Sequence, residues 1–275
     1  MTAHPPYEDL YIYLVEGQVS ETYEALLGDD FIGNWVEDDT AFLFFSKPSK
    51  DKVKNIIKNH QDLAYIDEHH MTYEQWQGGI LEPVRIEPFL ITTPWVEVDP
   101  KQADIKIILD PGVVFGTGLH PTTEDCLKAL GNLREEHVPI GRVLDLGTGT
   151  GILSLAAAFI GAKEVTAVDL NPLAVKTAKN NVHLNKLKGI ITVVEGRAQT
   201  FVDESADLVI ANIHYKVIDD LFRTEGFRKK PRFIISGLMR SQVRDLKNMI
   251  ENDGIQVIRE WDHEMTWYTL LLSKT

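Results

Sequence analysis

The sequence predicts an α/β protein: a mostly parallel sheet with helices on both faces, preceded by a small α+β domain. Three features lead to that reading. From Arg142 onward, short β-branched runs alternate with helical patterns, as in a sheet built from strand–helix–strand units. Gly147-Thr148-Gly149-Thr150-Gly151 joins the first of those strands to an apolar, alanine-rich segment, and alternating glycines let backbone pass close to a ligand. Before residue 73 the elements are short and follow the order βαββαβ, a split βαβ or ferredoxin-like plan.

At 275 residues the chain can bury a sizeable core without covalent staples. Its 44% apolar and 25% charged residues exclude disordered and fibrous classes. The single cysteine, Cys126, excludes an intramolecular disulfide and any cysteine-built zinc or iron–sulfur site, and it suits a reducing compartment. Met1 to Leu10 lacks the basic-then-apolar pattern of a signal peptide, and apolar runs such as Ile152–Ile160 are too short to span a bilayer. A cytoplasmic protein without membrane contact is expected. Net charge is −13, and residues 1–76, with 15 acids and 5 bases, carry −10 of it. Neither part offers the basic footprint that a nucleic-acid backbone needs. The acidic N-terminal part either steers a basic partner or serves solubility.

The N-terminal domain is set at residues 1–72. Leu10–Val15 has the aromatic and β-branched content of a strand. Ser20 caps a helix over Ser20–Leu27 whose apolar side is Tyr23, Leu26 and Leu27. Phe31–Val36 and Thr40–Phe45 are strands around the acidic turn Glu37-Asp38-Asp39. Ser49–Asn59 is an amphipathic helix carrying Val53, Ile56 and Ile57, and Leu63–Ile66 is the last strand. Residues 73–83, with Gly78-Gly79 and no periodicity, read as a linker.

The second domain spans residues 84–275. Val84–Ile86, Trp95–Val98 and Ile105–Leu109 are short strands. Pro121 starts a helix through Cys126, Leu127 and Leu130. Arg142–Leu146 is a buried strand and Ile152–Phe159 the helix after the glycines. Glu164–Val168 is the next strand, closed by Asp169. Asn171 caps and Pro172 opens a helix with Ala174, Val175, Ala178 and Val182 on one face. Ile191–Val194, Asp207–Asn212 and Phe233–Ser236 are further strands. Gly254–Leu272 reads as two final strands, a reversed pair at the sheet edge.

Glycine spacing discriminates among nucleotide ligands. A dinucleotide fingerprint wants G-x-G-x-x-G, but the third glycine here is Gly151 and position 152 is Ile152. G-x-G-x-G suits a nucleoside without a pyrophosphate, such as S-adenosylmethionine; NAD and a structural turn are the other readings. Asp169, 22 positions after Gly147, stands where a carboxylate accepts hydrogen bonds from both ribose hydroxyls. Glu195 ends the third strand, either as an adenine neighbour or as a solvated acid. Asn212 ends the fourth, where ligands of open parallel sheets bind. It either reaches the reacting centre or caps the helix Tyr215–Phe222.

Upstream runs Asp110-Pro111-Gly112-Val113-Val114-Phe115-Gly116-Thr117-Gly118-Leu119-His120-Pro121-Thr122-Thr123. Its three glycines precede a helix whose first turn offers two hydroxyls and a positive dipole end, suited to an anionic group such as a cofactor carboxylate. This string, continued by Val143–Asn171, Ala211-Asn212-Ile213 and Ser236-Gly237-Leu238 with Gln242, resembles the large-subunit ribosomal protein L-eleven methyltransferases over roughly Val84 to Leu272. The resemblance implies a class I S-adenosylmethionine-dependent methyltransferase, Rossmann-like and mostly parallel, with a small ferredoxin-like N-terminal domain that grips the substrate. It implies S-adenosylmethionine as cofactor, with Thr123 near the methionine end, Gly147 under the nucleoside, Asp169 on the ribose and Asn212 beside the reacting centre. It also implies a basic ribosomal protein as substrate, methylated on lysine side chains and the N-terminal amine. A monomer that does not itself bind nucleic acid is expected.

No catalytic acid, base or metal ligand is assigned. A sulfonium is already an activated electrophile, so the protein mainly positions and desolvates. His120 and His214 are read as local hydrogen-bonding residues, Cys126 as core, and His69-His70 as a surface pair with no third ligand. Tyr11, Tyr13, Phe42, Phe44 and Phe45 are read as sheet packing.

Overall fold

The computed structural model describes residues 4–37, 39–60, 62–101 and 104–275, and of Glu21 the backbone alone. The chain forms two compact units, Met1–Glu82 with Asn171–Leu173, and Pro83–Leu170 with Ala174–Thr275.

In the first unit β1 (Asp9–Glu16), β2 (Phe31–Glu37), β3 (Thr40–Phe45) and β4 (Ala64–Thr72) make an antiparallel sheet ordered β2-β3-β1-β4. The connections carry α1 (Glu21–Glu24) and α2 (Lys50–Lys58). One sheet face buries Tyr13, Val15, Leu43 and Phe45 against Val53 and Ile56 of α2. The buried Tyr13 hydroxyl accepts from the Ser49 N–H (2.8 Å) and so fixes where α2 begins.

Three elements differ from the sequence reading. The first helix stops at Glu24, so Leu27 is buried while Leu26 is 70% exposed. The last strand continues to Thr72, because β4 pairs with β1 along its whole length, from Asp9–Thr72 to Glu16–Ala64. That carries His69 and His70 on an exposed strand. His70 lies 3.0 Å from Asp9 and stacks on Tyr11, while His69 lies 3.8 Å from Asp67. Residues expected as linker begin instead with a helical turn, α3 (Tyr73–Trp76). Thr72 caps it by accepting from Gln75 N (3.1 Å), the Gln75 side chain accepts in return from Thr72 N (2.8 Å), and Tyr73 is buried. Asp38 of the expected turn lies outside the described residues.

The second unit opens with a three-stranded sheet of β5 (Val84–Ile86), β6 (Phe89–Thr92) and β7 (Ile105–Ile108), in that order. The middle strand is Phe89–Thr92, not the expected Trp95–Val98. All four of its residues are buried, whereas residues 93–96 close a turn through Val96 N–H to Thr93 O (3.3 Å).

Then follow α4 (Pro121–Glu135), β8 (Arg142–Leu146), α5 (Ile152–Phe159), β9 (Glu164–Asp169), α6 (Pro172–Leu184), β10 (Ile191–Glu195), β11 (Leu208–Asn212), α7 (Tyr215–Phe222), α8 (Glu225–Arg228), β12 (Arg232–Leu238), α9 (Arg240–Ile250), β13 (Ile255–His263) and β14 (Trp267–Lys274). The large sheet runs β10-β9-β8-β11-β12-β14-β13. Its first five strands are parallel, and β14 is antiparallel to both its neighbours.

Alternation along the strands feeds two cores. Val143, Val165, Ala167, Ile210 and Ile234 face Leu127, Leu155 and Val182 of α4, α5 and α6. Leu144, Val168, Val209, Phe233 and Ile235 face Ile218, Leu221 and Leu246 of α7 and α9. Phe222, Phe227 and Phe233, all fully buried, stack with ring centroids 5.1, 5.2 and 5.3 Å apart, and burying each such side chain is worth about 1.5–3 kcal/mol. The strand order reverses at β8, which leaves a crevice at its carboxyl end, where open sheets of this kind bind ligands.

Candidate functional site

The crevice is floored by the glycine loop after β8. Gly147, Gly149 and Gly151 have φ of +75°, +55° and +85°, in the left-handed region that side chains disfavour. Space is a second constraint: a Cβ on Gly147 would lie 2.0 Å from Ile213, and one on Gly149 would lie 2.5 Å from the Phe115 carbonyl. Gly147 N and Thr148 N donate to Val168 O (2.8 and 2.9 Å), and Gly149 N donates to Asp169 Oδ2 (2.9 Å). These bonds tie the loop to the half-buried carboxylate at the end of β9. Glu195, in register beside Asp169, is exposed.

The loop 110–120 is laced onto the glycine loop. Thr150 donates from its hydroxyl to Gly116 O (2.6 Å) and from its N–H to Phe115 O (3.1 Å). Asn181 of α6, fully buried, accepts from Asp110 N (2.8 Å) and donates to Asp110 O (2.8 Å) and Thr150 O (2.9 Å). One turn on, Asn185 does the same for Ile108 N (2.9 Å) and O (2.6 Å). Sequence reasoning missed both asparagines. Their signal was a polar pair four residues apart, Asn181 among the alanines of α6 and Asn185 just past its end.

The start of α4 forms the next wall. His120 is its cap: Nδ1 accepts from Thr122 N (3.3 Å) and faces the Thr122 hydroxyl (2.7 Å). Nδ1 is therefore unprotonated, and burial, then the neighbouring His263, lowers the pKa of the ring. Pro121 has no N–H, and Thr123 N donates to His120 O (3.0 Å). The first N–H groups of the helix are thus taken by the chain itself, and its start offers the expected dipole and two threonine hydroxyls. Asn212 Nδ2 donates to those hydroxyls, 3.2 Å to Thr122 and 3.4 Å to Thr123. Asn212 does not cap α7; His214 does, with Nδ1 accepting from Lys216 N (3.3 Å). Ser236 anchors this wall from below, donating to Thr122 O (3.2 Å) and lying 2.6 Å from the Thr269 hydroxyl. Of the four expected cofactor residues, Thr123 and Asn212 are hydrogen-bonded to each other, Gly147 and Asp169 belong to the same loop–strand junction, and Ile213 sits against Gly147.

Asp145 is a group that the sequence reading passed over. It is fully buried; Oδ2 accepts from the Thr148 and Ser154 hydroxyls (both 2.6 Å), and Oδ1 has no hydrogen-bond partner. Burial pushes its pKa from 3.8 up to about 6, against the pull of the two hydroxyls. The folded state therefore holds this proton more tightly than the unfolded chain does. The contribution to stability is present in full below pH 4 and is lost as pH rises to about 6, roughly 3 kcal/mol in all. Asp145→Asn is expected to escape that loss. In urea unfolding the stability of the variant relative to the parent should improve by about 3 kcal/mol between pH 4 and pH 7; an unchanged difference would mean that Asp145 does not titrate in this range.

Among the described residues no group of three or more His, Cys, Asp or Glu is arranged to hold a metal ion, and no helix is long and apolar enough to cross a membrane.

Comparison with known proteins bears on what this crevice serves. The family model described as "Ribosomal protein L11 methyltransferase (PrmA)" matches residues 32–275. Curated proteins named ribosomal protein L11 methyltransferase from Geobacillus thermodenitrificans and Anoxybacillus flavithermus are each 36% identical, over 265 and 257 residues. These alignments cover 90% and 89% of this chain and 80% and 77% of the relatives. The crystal structure of ribosomal protein L11 methylase from Lactobacillus delbrueckii subsp. bulgaricus superposes with a TM-score of 0.60 at 27% identity, covering 70% of this chain and 99% of that one. The parallel sheet, its switch-point crevice and the glycine loop are thus those of a methyltransferase, and the chain belongs to the S-adenosylmethionine-dependent ribosomal protein L11 methyltransferase family.

Proposed function

We propose that the protein transfers methyl groups from S-adenosylmethionine to amino groups of large-subunit ribosomal protein L11, on lysine side chains, the N-terminal amine or both. The observation that carries this reading is the convergence of Thr123, Gly147, Asp169 and Asn212 on the crevice at the carboxyl ends of β8, β9 and β11, together with relatives that are named for that substrate.

The residues fit the cofactor. Gly147 and Gly149 keep the loop free of side chains of its own, with Ile213 packed against Gly147 and the Phe115 carbonyl against Gly149. Asp169 supplies a carboxylate, the acceptor that a ribose diol calls for. Thr123 accepts from Asn212 and keeps its hydroxyl hydrogen to donate to a carboxylate, next to the positive end of α4. When bound, S-adenosylmethionine supplies a methyl group on a positively charged sulfur, open to in-line displacement by a neutral amine. Asn212, fixed by two hydroxyls, orients the reacting groups, and the buried walls around it exclude water and favour the uncharged amine. His120 and His214 each spend Nδ1 on a helix cap and act structurally.

The acidic N-terminal unit docks the basic substrate, its −10 charge over residues 1–76 giving long-range attraction. A monomer in the cytoplasm, without nucleic-acid binding of its own, fits the acidic balance and the single buried cysteine. Incubation with S-adenosylmethionine and purified ribosomal protein L11, followed by intact-mass measurement, should show mass gains in methyl-sized steps. An unchanged mass, with cofactor binding verified by calorimetry, would transfer the activity to a different substrate.

A further inference from the structure

We propose that the groove between α9 and the β13–β14 hairpin seats the stretch of substrate polypeptide flanking the methylated amine, and that Arg240 and Arg244 bind an acidic side chain of that stretch. This rests on the function proposed above and extends it to sequence preference around the target.

The groove encloses about 520 Å³, within the range of ligand clefts at roughly 300–1,000 Å³. One wall is α9, which places Arg240, Arg244 and Lys247 on a single helix face at one-turn spacing. The other wall is the hairpin, with Glu260, Asp262 and Tyr268.

Both walls begin at the transfer centre. Gly237, three residues before Arg240, lies against Asn212, since a Cβ there would sit 3.4 Å from Asn212 Oδ1. Trp267, next to Tyr268, packs edge-on against His120 at 5.5 Å, and His120 caps the helix that carries Thr123. On this proposal a polypeptide whose amine reaches Asn212 extends past Gly237 and Trp267 into the groove.

The charges decide what that polypeptide carries. Lys247 is neutralised by Glu260 at 2.6 Å. Arg240 has no ion-pair partner among the described residues, and Arg244 reaches the adjacent Asp245 only at 3.7 Å while 75% exposed. In a chain of net charge −13, two neighbouring guanidinium groups facing a groove favour a carboxylate, which their planar donor sets can hold bidentately. Asp262 on the opposite wall suits a basic side chain of the same segment. An extended peptide meets both walls, because its side chains alternate in direction.

The test compares the full-length protein with Arg240→Ala/Arg244→Ala and Arg240→Glu/Arg244→Glu, using purified ribosomal protein L11 in steady-state methylation and S-adenosylmethionine in calorimetry. The proposal expects KM for the protein substrate to rise at least tenfold in the alanine pair and further in the glutamate pair. It expects kcat within about twofold and unchanged cofactor affinity. Replacing the acidic residues next to the mapped methylation site by lysine should restore the KM of the glutamate pair. An unchanged KM, with parent activity intact, overturns the groove assignment alone. So does an unchanged KM joined to lost binding of a fluorescent single-stranded RNA, which would make the groove a nucleic-acid surface. A parent enzyme that leaves the substrate unmodified overturns the proposed function and the groove assignment together.

Discussion

Gly147→Ala is expected to weaken S-adenosylmethionine binding at least 100-fold and to abolish turnover. Two costs combine. Alanine at φ +75° is strained by about 1–2 kcal/mol. Its methyl would also stand 2.0 Å from the Ile213 side chain, far inside contact distance. Ile213 has little freedom to retreat, because its backbone is held between Asn212 and His214 and it packs on the second core. The loop must move instead, and it is the loop whose Gly149 N–H meets Asp169 and whose Thr150 holds residues 115 and 116. Calorimetry with the cofactor, beside thermal unfolding, measures both consequences. Gly161→Ala is the matched control: φ there is +113°, but nothing lies within 4 Å of the added methyl, so backbone strain of about 1–2 kcal/mol should lower stability while affinity holds. Near-parental affinity in Gly147→Ala would remove this glycine from the cofactor site.

Deleting residues 1–82 is expected to leave cofactor affinity within about threefold and to cut methylation of the protein substrate at least 100-fold, equivalent to about 2.7 kcal/mol. The larger unit contains both main cores, from Ile86 to Leu271 and from Leu144 to Leu272, and neither core includes a residue before Pro83. It therefore has the burial to fold alone. The deleted unit contributes most of the negative charge, the property that attracts a basic protein. Circular dichroism checks the fold, calorimetry the cofactor and intact mass the product. Undiminished methylation by the truncated chain would show that the N-terminal unit does not dock the substrate.

Short, nearly continuous apolar runs alternating with helical patterns made the central sheet legible, because strands such as Val143–Leu146, Asp145 apart, and Leu208–Ala211 are buried on both faces. The glycine loop was legible for a similar reason: positive φ and crowding restrict those positions to one residue type. The string from Asp110 to Thr123 identified the family before any fold was drawn. Errors gathered where local preference is weak. Leu26 has the helical spacing of a core residue, but the helix ends before it. Trp95–Val98 has strand composition, but the partner strand β7 pairs with Phe89–Thr92.

The sequence by itself determined the α/β class, the succession of the five parallel strands β8 to β12, the glycine loop and the acidic end residue Asp169. Each of these depends on the steric and solvation needs of a few adjacent residues. The tertiary structure alone decided that Asn181 clasps Asp110, 71 positions away, that Asn212 bonds the threonines of α4 rather than capping its own helix, that Ser236 bonds Thr122 O from 114 positions away, and that Asp145 keeps one oxygen unpaired. Those facts depend on which polar groups meet when distant segments pack. A buried polar group must find its partner wherever the fold supplies one, and local sequence carries no record of the distance at which that partner lies.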